Sequence, residues 1–167
     1  MTNNIVLRPW QKQDAQELAA VANNRNLWNN LHDEIPSPYT VMDSLQWIAH
    51  ANDQKPVVNF AVVYNGKIAG SIGCVLKTDI NRKTVEIGYF IGENFWGKGI
   101  ATEAVKQLVD FISTRLSVVR VETHVFAHNK ISMKVLQKNG FYLEAINRKA
   151  AIKNNVLIDD YVWVKFL

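Results

Sequence analysis

The sequence predicts a mixed α/β domain of the α+β kind, with a mainly antiparallel, twisted sheet flanked by helices. Three observations carry that expectation. Two apolar, β-branched runs, Val57 to Tyr64 and Lys67 to Leu76, are joined by Asn65-Gly66, a pair that suits a two-residue type I′ turn and hence an antiparallel hairpin. A strand-like run, Val85 to Ile91, leads through a glycine-punctuated segment, Gly92 to Thr102, into apolar positions at Ile100/Ala101, Ala104/Val105, Leu108/Val109 and Phe111/Ile112, the spacing of one helix face. Beyond it strand-like and helical patterns alternate, and no internal repeat, low-complexity tract or linker interrupts the chain.

Taken in order, Ile5 to Arg8 reads as a short strand and Gln11 to Asn24 as a helix with Ala15, Leu18, Ala19 and Ala22 on one side, followed by a loop region. Thr40 to Asp43 resembles a capping box, with Asp in place of the usual Glu, opening a helix through Leu45 and Ile48. The hairpin comes next, and Thr84 to Ile91 adds a third adjacent strand. After the long helix come a strand from Val118 to Phe126 and a helix from Lys130 to Asn139 ended by Gly140. Two strands, Phe141 to Ile152 and Val156 to Phe166, complete the pattern.

At 167 residues and 48% hydrophobic composition, the chain is expected to form one domain, 1–167, with a full core. Met1 to Asn4 lacks the basic and apolar run of a signal peptide, and no apolar stretch approaches the ~18 residues that span a bilayer, so a cytoplasmic protein with no membrane partner is expected. The one cysteine, Cys74, excludes an internal disulfide and reads as a small core residue. A net charge of +4 and a pI near 9.2 come without any block of Lys/Arg, so direct nucleic-acid binding is not expected.

The segment Gly92-Glu93-Asn94-Phe95-Trp96-Gly97-Lys98-Gly99-Ile100-Ala101-Thr102 reads as a phosphate cradle. At a helix start the main-chain amides lack partners inside the helix and the dipole is positive, while Gly97 and Gly99 allow close approach. Gly92 with Gly97-Lys98 matches most of a P-loop, but the hydroxyl residue that holds magnesium is replaced by Gly99, and the run Val118 to Phe126 does not end in a metal-binding aspartate. A dinucleotide fingerprint fails too, because Thr102 occupies its third glycine position.

Asn94-Phe95-Trp96-Gly97-Lys98-Gly99 resembles the pyrophosphate loop Q/R-x-x-G-x-G/A of the GNAT N-acetyltransferases, with Asn94 in place of the usual Gln or Arg. A second block resembles the same family: Val121 to Phe126, then Asn129-Lys130-Ile131-Ser132, ending Leu136-Gln137-Lys138-Asn139-Gly140-Phe141. The run Phe95 to Ala104, with Pro36-Ser37-Pro38-Tyr39-Thr40 upstream, is similar to the branch that holds the ribosomal-protein N-terminal (RimJ/RimL-type) acetyltransferases. The resemblance implies a GNAT fold with the fourth and fifth strands splayed around acetyl-CoA as cosubstrate, and no metal. It implies a pantetheine arm paired with main chain near Phe90 and Ile91, phosphates on Gly97, Lys98, Gly99, Ile100, Ala101 and Thr102, and Asn129 bonded to the cofactor arm. A helix N-cap is the other role open to Asn129.

Acetyl transfer from a thioester to an amine needs a proton taken from the amine and the departing thiolate neutralised. Glu86, a carboxylate in an otherwise apolar strand ahead of the loop, is the candidate base and matches the position of the catalytic glutamate in several GNAT enzymes; a solvent-facing glutamate is the alternative. The tyrosine that many GNAT enzymes place seven residues after the asparagine is Leu136 here, so Ser132, matching the serine of the ribosomal-protein branch, becomes the candidate for protonating the thiolate. His124 and His128, four apart on a strand, stand ~13 Å from one another, too far to chelate one metal. His32 and His50 read as surface residues. Trp10, Trp28, Trp47, Trp96 and Trp163 read as packing, although Trp28 and Tyr39 fall in the region that walls the acceptor cleft of similar proteins. Asp33, Glu34, Asp159 and Asp160 are acidic enough to attract a cationic amine, but suit solvated turns equally.

The expected activity is transfer of the acetyl group to a primary amine, a peptide N-terminus or a small molecule, by direct attack in a ternary complex. A non-catalytic acyl-CoA-binding sensor is the alternative, and a homodimer is compatible with either reading.

Overall fold

The computed structural model describes residues 4–167; residues 1–3, which carry most of the segment read for a leader, lie outside the described residues. The elements run β1 (Ile5–Pro9), α1 (Ala15–Ala22), α2 (Arg25–Trp28), α3 (Val41–Asp53), β2 (Asn59–Tyr64), β3 (Lys67–Leu76), β4 (Thr84–Ile91), α4 (Ile100–Arg115), β5 (Arg120–Phe126), α5 (Lys130–Lys138), β6 (Tyr142–Lys153) and β7 (Val156–Phe166). Seven strands take the order β1-β2-β3-β4-β5-β7-β6. The β1/β2, β2/β3, β5/β7 and β6/β7 pairs are antiparallel, while β4/β5 is parallel. Among the described residues no helix is long and apolar enough to cross a membrane.

The chain packs as two compact units. The first comprises the chain up to Gly73 together with Tyr89–Ala104. Its core gathers Trp10, Ala15, Leu18, Ala22, Ile48, Ala51, Ala61 and Ile68, with Tyr39, Trp47 and Phe90 packed against them. The Asn65-Gly66 turn has φ of 49° and 82°, the two left-handed residues that a type I′ turn demands and that let β2 fold back on β3. The capping box also forms: the Asp43 N–H donates to Thr40 Oγ1 at 3.2 Å and the Thr40 N–H to Asp43 Oδ2 at 2.7 Å.

The helix expected over Gln11 to Asn24 is shorter. Its first turn is a 3-10 turn, Lys12–Asp14, because the buried Asp14 carboxylate accepts from the Gln11 N–H and from Arg8 Nη1 and Nη2. It ends at Ala22, and Asn24 caps the separate helix α2, accepting from the Leu27 N–H at 2.9 Å, where the pattern suggested only loop.

The second unit comprises Cys74–Gly88 and Val105–Leu167. Val85, Ile87, Val105, Leu108, Ile112, Val121, Leu136 and Val164 are among its most buried side chains. Parallel pairing of β4 with β5 covers only Thr84 to Glu86 against Arg120 to Glu122. Ile87 and Gly88 then leave the pair, whereas β5 goes on to Phe126 along β7, so the two strands fork just beyond Glu86 and Glu122. The β6–β7 hairpin closes on Asn154-Asn155, with φ of 51° and 62°, another type I′ turn.

Candidate active site

In the first unit, β4 ends in a tight sequence of turns. The Gly92 N–H donates to Ala69 O at 2.8 Å, the Phe95 N–H to Gly92 O at 2.9 Å, and the Trp96 indole N–H to Ile91 O at 2.6 Å. The indole therefore already uses one lone pair of the Ile91 carbonyl, one of the main-chain groups expected to meet a cofactor arm. Phe90 is held by a close approach: a Cβ on Gly70 would stand 2.0 Å from the Phe90 oxygen, so only glycine fits beside it.

Gly97 and Gly99 both sit at φ +75°, a conformation that side-chain-bearing residues rarely adopt. A Cβ built on either meets nothing within 4 Å. The chain's own packing therefore leaves the space above both glycines open. Helix α4 begins at once, and its first intrahelical bond runs from the Glu103 N–H to Gly99 O. The amides of Ile100 and Ala101 lie ahead of that bond, at the positive end of a 16-residue helix. Ile100 itself is buried, which anchors this end and limits its part to main chain.

Two neighbours shape the loop. The Lys98 ammonium donates to Asn94 O at 3.0 Å and lies over the Tyr64 and Phe95 rings. Lys98 is thus folded back along the loop, braced by the residue that replaces the family's Gln or Arg. Glu93 accepts from the side-chain amides of Asn24 at 2.6 Å and Asn26 at 2.9 Å, and these bonds hold its carboxyl below the usual range. Asn24 therefore ties the loop to α2 while capping that helix.

In the second unit, Glu86 does not lie among apolar groups. Alternation along β4 sends Val85 and Ile87 into the core and turns Glu86 to the opposite face, where the Lys77 ammonium stands 3.8 Å away and the side chain is 38% exposed. Glu122, its partner in register, is buried between Lys77 and the Arg120 Nε, at 3.0 Å from the latter. Burial works against its charge, but the hydrogen bonds from Lys77 and Arg120 outweigh it and keep the carboxyl below the ordinary range. Arg120 also forks onto Glu144, which raises its own pKa. On the same face, His124 Nδ1 lies 2.6 Å from Asp160 Oδ2. The pattern of residue types gave no sign of that pair, because it joins positions 36 apart through the β5/β7 register.

Asn129 caps α5, its Oδ1 accepting from the Ser132 N–H at 3.2 Å. Ser132 is half-buried in the first turn of that helix. Leu136 is wholly buried and belongs to the core. Cys74 is buried as well, which pushes its thiol up to about 11 and suits packing rather than nucleophilic attack. Trp10 and Trp163 are core residues, Trp28 and Trp47 are half-buried, and Trp96 is 40% exposed. His32 and His50 are exposed.

A family model described as an acetyltransferase (GNAT) domain matches residues 4–142. The chain belongs to the GNAT acetyltransferase family. This GNAT domain is 33% identical to the Probable N-acetyltransferase YjcK of Bacillus subtilis (strain 168), over 95% of this chain and 91% of that protein. Among solved structures it is similar to the microcin self-immunity acetyltransferase MccE in complex with acetyl-CoA and AMP, with a TM-score of 0.84 and 28% identity over 98% of this chain and 92% of that one. RimL, a ribosomal-protein alpha-N-acetyltransferase in complex with coenzyme A, shares the fold at a TM-score of 0.85 and 19% identity, covering 100% of this chain and 96% of that one.

Proposed function

We propose that this GNAT domain, acting as one cytoplasmic domain, moves the acetyl group of acetyl-CoA to a primary amine by direct attack in a ternary complex. The acceptor is either a protein N-terminal α-amine or a small-molecule amine. The observation that carries the reading is the Gly97/Gly99 pair: two left-handed glycines with open space above them, at the start of α4. Main-chain amides in that arrangement suit a diphosphate, since they need no side chain and add the positive end of the helix. In this reading Gly97, Lys98, Gly99, Ile100, Ala101 and Thr102 hold the phosphates, Phe90 and Ile91 pair with the arm, and Asn129 bonds it while capping α5. The bound cosubstrate supplies an activated thioester carbonyl.

The chain's own groups then manage protons. Glu86, the candidate base, receives the ammonium form of the acceptor, and Ser132 donates a hydrogen bond toward the departing sulfur, standing in for the tyrosine that Leu136 replaces. A thiol whose ordinary pKa is about 8.5 needs no stronger acid. Buried Cys74 has no part in this scheme, and no acyl-enzyme forms. The test is acceptor-dependent thiol release from acetyl-CoA with peptides bearing free N-termini, spermidine, amino acids and an amino sugar. One acceptor class should release thiol well above the acceptor-free rate. No release with any of them would overturn the reading.

A further inference from the structure

The fork between β4 and β5 carries a constellation that the phosphate loop does not explain. Donor atoms of Glu86, Glu122 and His124 all lie within 4.8 Å of one another. A divalent cation is the first occupant such a set suggests, but the structure fills that role with side chains: Lys77 bonds Glu122 and approaches Glu86, and Arg120 bonds the other Glu122 oxygen. The carboxylate charge is already matched. What remains is an imidazole with one nitrogen committed to Asp160.

The commitment is directional. A carboxylate only accepts, so the 2.6 Å contact with Asp160 Oδ2 puts a hydrogen on His124 Nδ1, and in the neutral ring that tautomer leaves the lone pair on Nε2. Asp160 is fixed in turn: Asn147 Nδ2 stands 3.4 Å from the same oxygen, and the side chain is 14% exposed. Its other oxygen, Oδ1, is buried with no hydrogen-bond partner, as befits a group whose interactions are concentrated on one neighbour. The His124 side chain is 31% exposed, so a solute can reach it. Its place is beside Glu86, at the point where β4 leaves β5.

We propose that His124 is a further catalytic residue, the group that takes the proton from the acceptor amine, and that Asp160 is its positioning residue. The inference rests on the acetyl-transfer reading and divides the labour there: Glu86 binds the ammonium, His124 removes its proton. Chemistry favours the division, because imidazoles as a class, near pKa 6.5, are closer to an amine near 8 to 10 than carboxylates near 4. The proton balance is simple. Nε2 takes a proton from the ammonium and passes it to water. The free amine then forms a C–N bond to the thioester carbonyl, the C–S bond breaks with its electron pair going to sulfur, and the proton shed by nitrogen goes to Nε2 as the thiolate, hydrogen-bonded by Ser132, gains one from water. Glu86 on β4, Glu122 on β5 and Asp160 on β7 stand at the imidazole; Lys77, just after β3, and Arg120 on β5 pair with Glu122, Glu144 on β6 pairs with Arg120, and Asn147 on β6 reaches Asp160.

The experiment compares wild type, His124→Gln, His124→Ala, Asp160→Asn and a control, His128→Gln, by thiol release across pH with the best acceptor and by thermal melting. His124→Gln should lower kcat/KM at least a hundredfold with its melting temperature unchanged, and His124→Ala should regain activity on adding imidazole. Asp160→Asn should fall about tenfold and shift the acid limb of the pH profile, a readout that a purely structural role would not move. His128→Gln should behave as wild type. An active wild type with an equally active His124→Gln, or with no imidazole rescue of His124→Ala, overturns this inference and leaves the acetyl-transfer reading standing. A wild type inactive with every acceptor overturns both.

Discussion

Gly97→Ala separates a strained turn from a ligand cradle, provided that it is measured beside Gly66→Ala. Both glycines have positive φ, +75° and +82°, and both would place a Cβ in open space. Forcing an alanine into the left-handed region costs about 1–2 kcal/mol at either position. For a domain of this length each kcal/mol lowers Tm by about 2–4 °C, so both variants should melt roughly 2–8 °C below wild type. Only Gly97 lies where a diphosphate is proposed to rest. A methyl group there holds phosphate oxygens away from the amides at the start of α4 and removes at least one charge-assisted hydrogen bond, about 1.5–3 kcal/mol. At 1.4 kcal/mol per tenfold, the Kd for coenzyme A should rise about ten- to a hundredfold in Gly97→Ala and stay within twofold in Gly66→Ala. Titration calorimetry with coenzyme A, alongside melting curves, reads both quantities. Equal affinities in the two variants would refute the cradle.

Other outcomes follow from packing and charge. Leu136→Ala removes a fully buried side chain and should cost about 2–5 kcal/mol by urea unfolding, with unchanged m-value. Asn155→Gly, at φ +62° in the β6–β7 turn, relieves a left-handed Asn and should raise Tm by about 1–4 °C. Glu122 has its pKa depressed in the folded state, so its stabilising contribution is complete above the unfolded carboxylate value of about 4 and fades as pH falls through the lower folded value. Urea midpoints between pH 2.5 and pH 7, a range of roughly four to five units around that value, should therefore drop at the acid end more steeply in wild type than in Glu122→Gln. At pH 7 that variant, which leaves Lys77 facing Arg120, should be weaker by on the order of 3 kcal/mol.

The parts of the molecule that could be read from the chain are those whose cause is local. Asn65-Gly66 sets its own turn, Thr40 and Asp43 bond each other across three residues, and Gly97 and Gly99 take a φ that few other residues accept. Each is a statement about a few consecutive residues, and each predicted element that rests on one is found in place. The broken helix at Lys12–Asp14 and the cap at Asn24 escaped because a side chain outbid the helix for the same amides, a competition that apolar spacing does not record. Charge environments are less legible still. Glu86 looks apolar in its surroundings only when its neighbours in sequence are taken for its neighbours in space; a period of two puts Val85 and Ile87 on the opposite face and leaves Lys77, just past the end of β3, and Glu122, from β5, beside it. The same register hides His124 from Asp160. A motif therefore locates the glycine loop, whereas the pairing of His124 with Asp160 depends on how β5 and β7 align, and a one-residue slip would move His124 to the face occupied by Val125 and Val121.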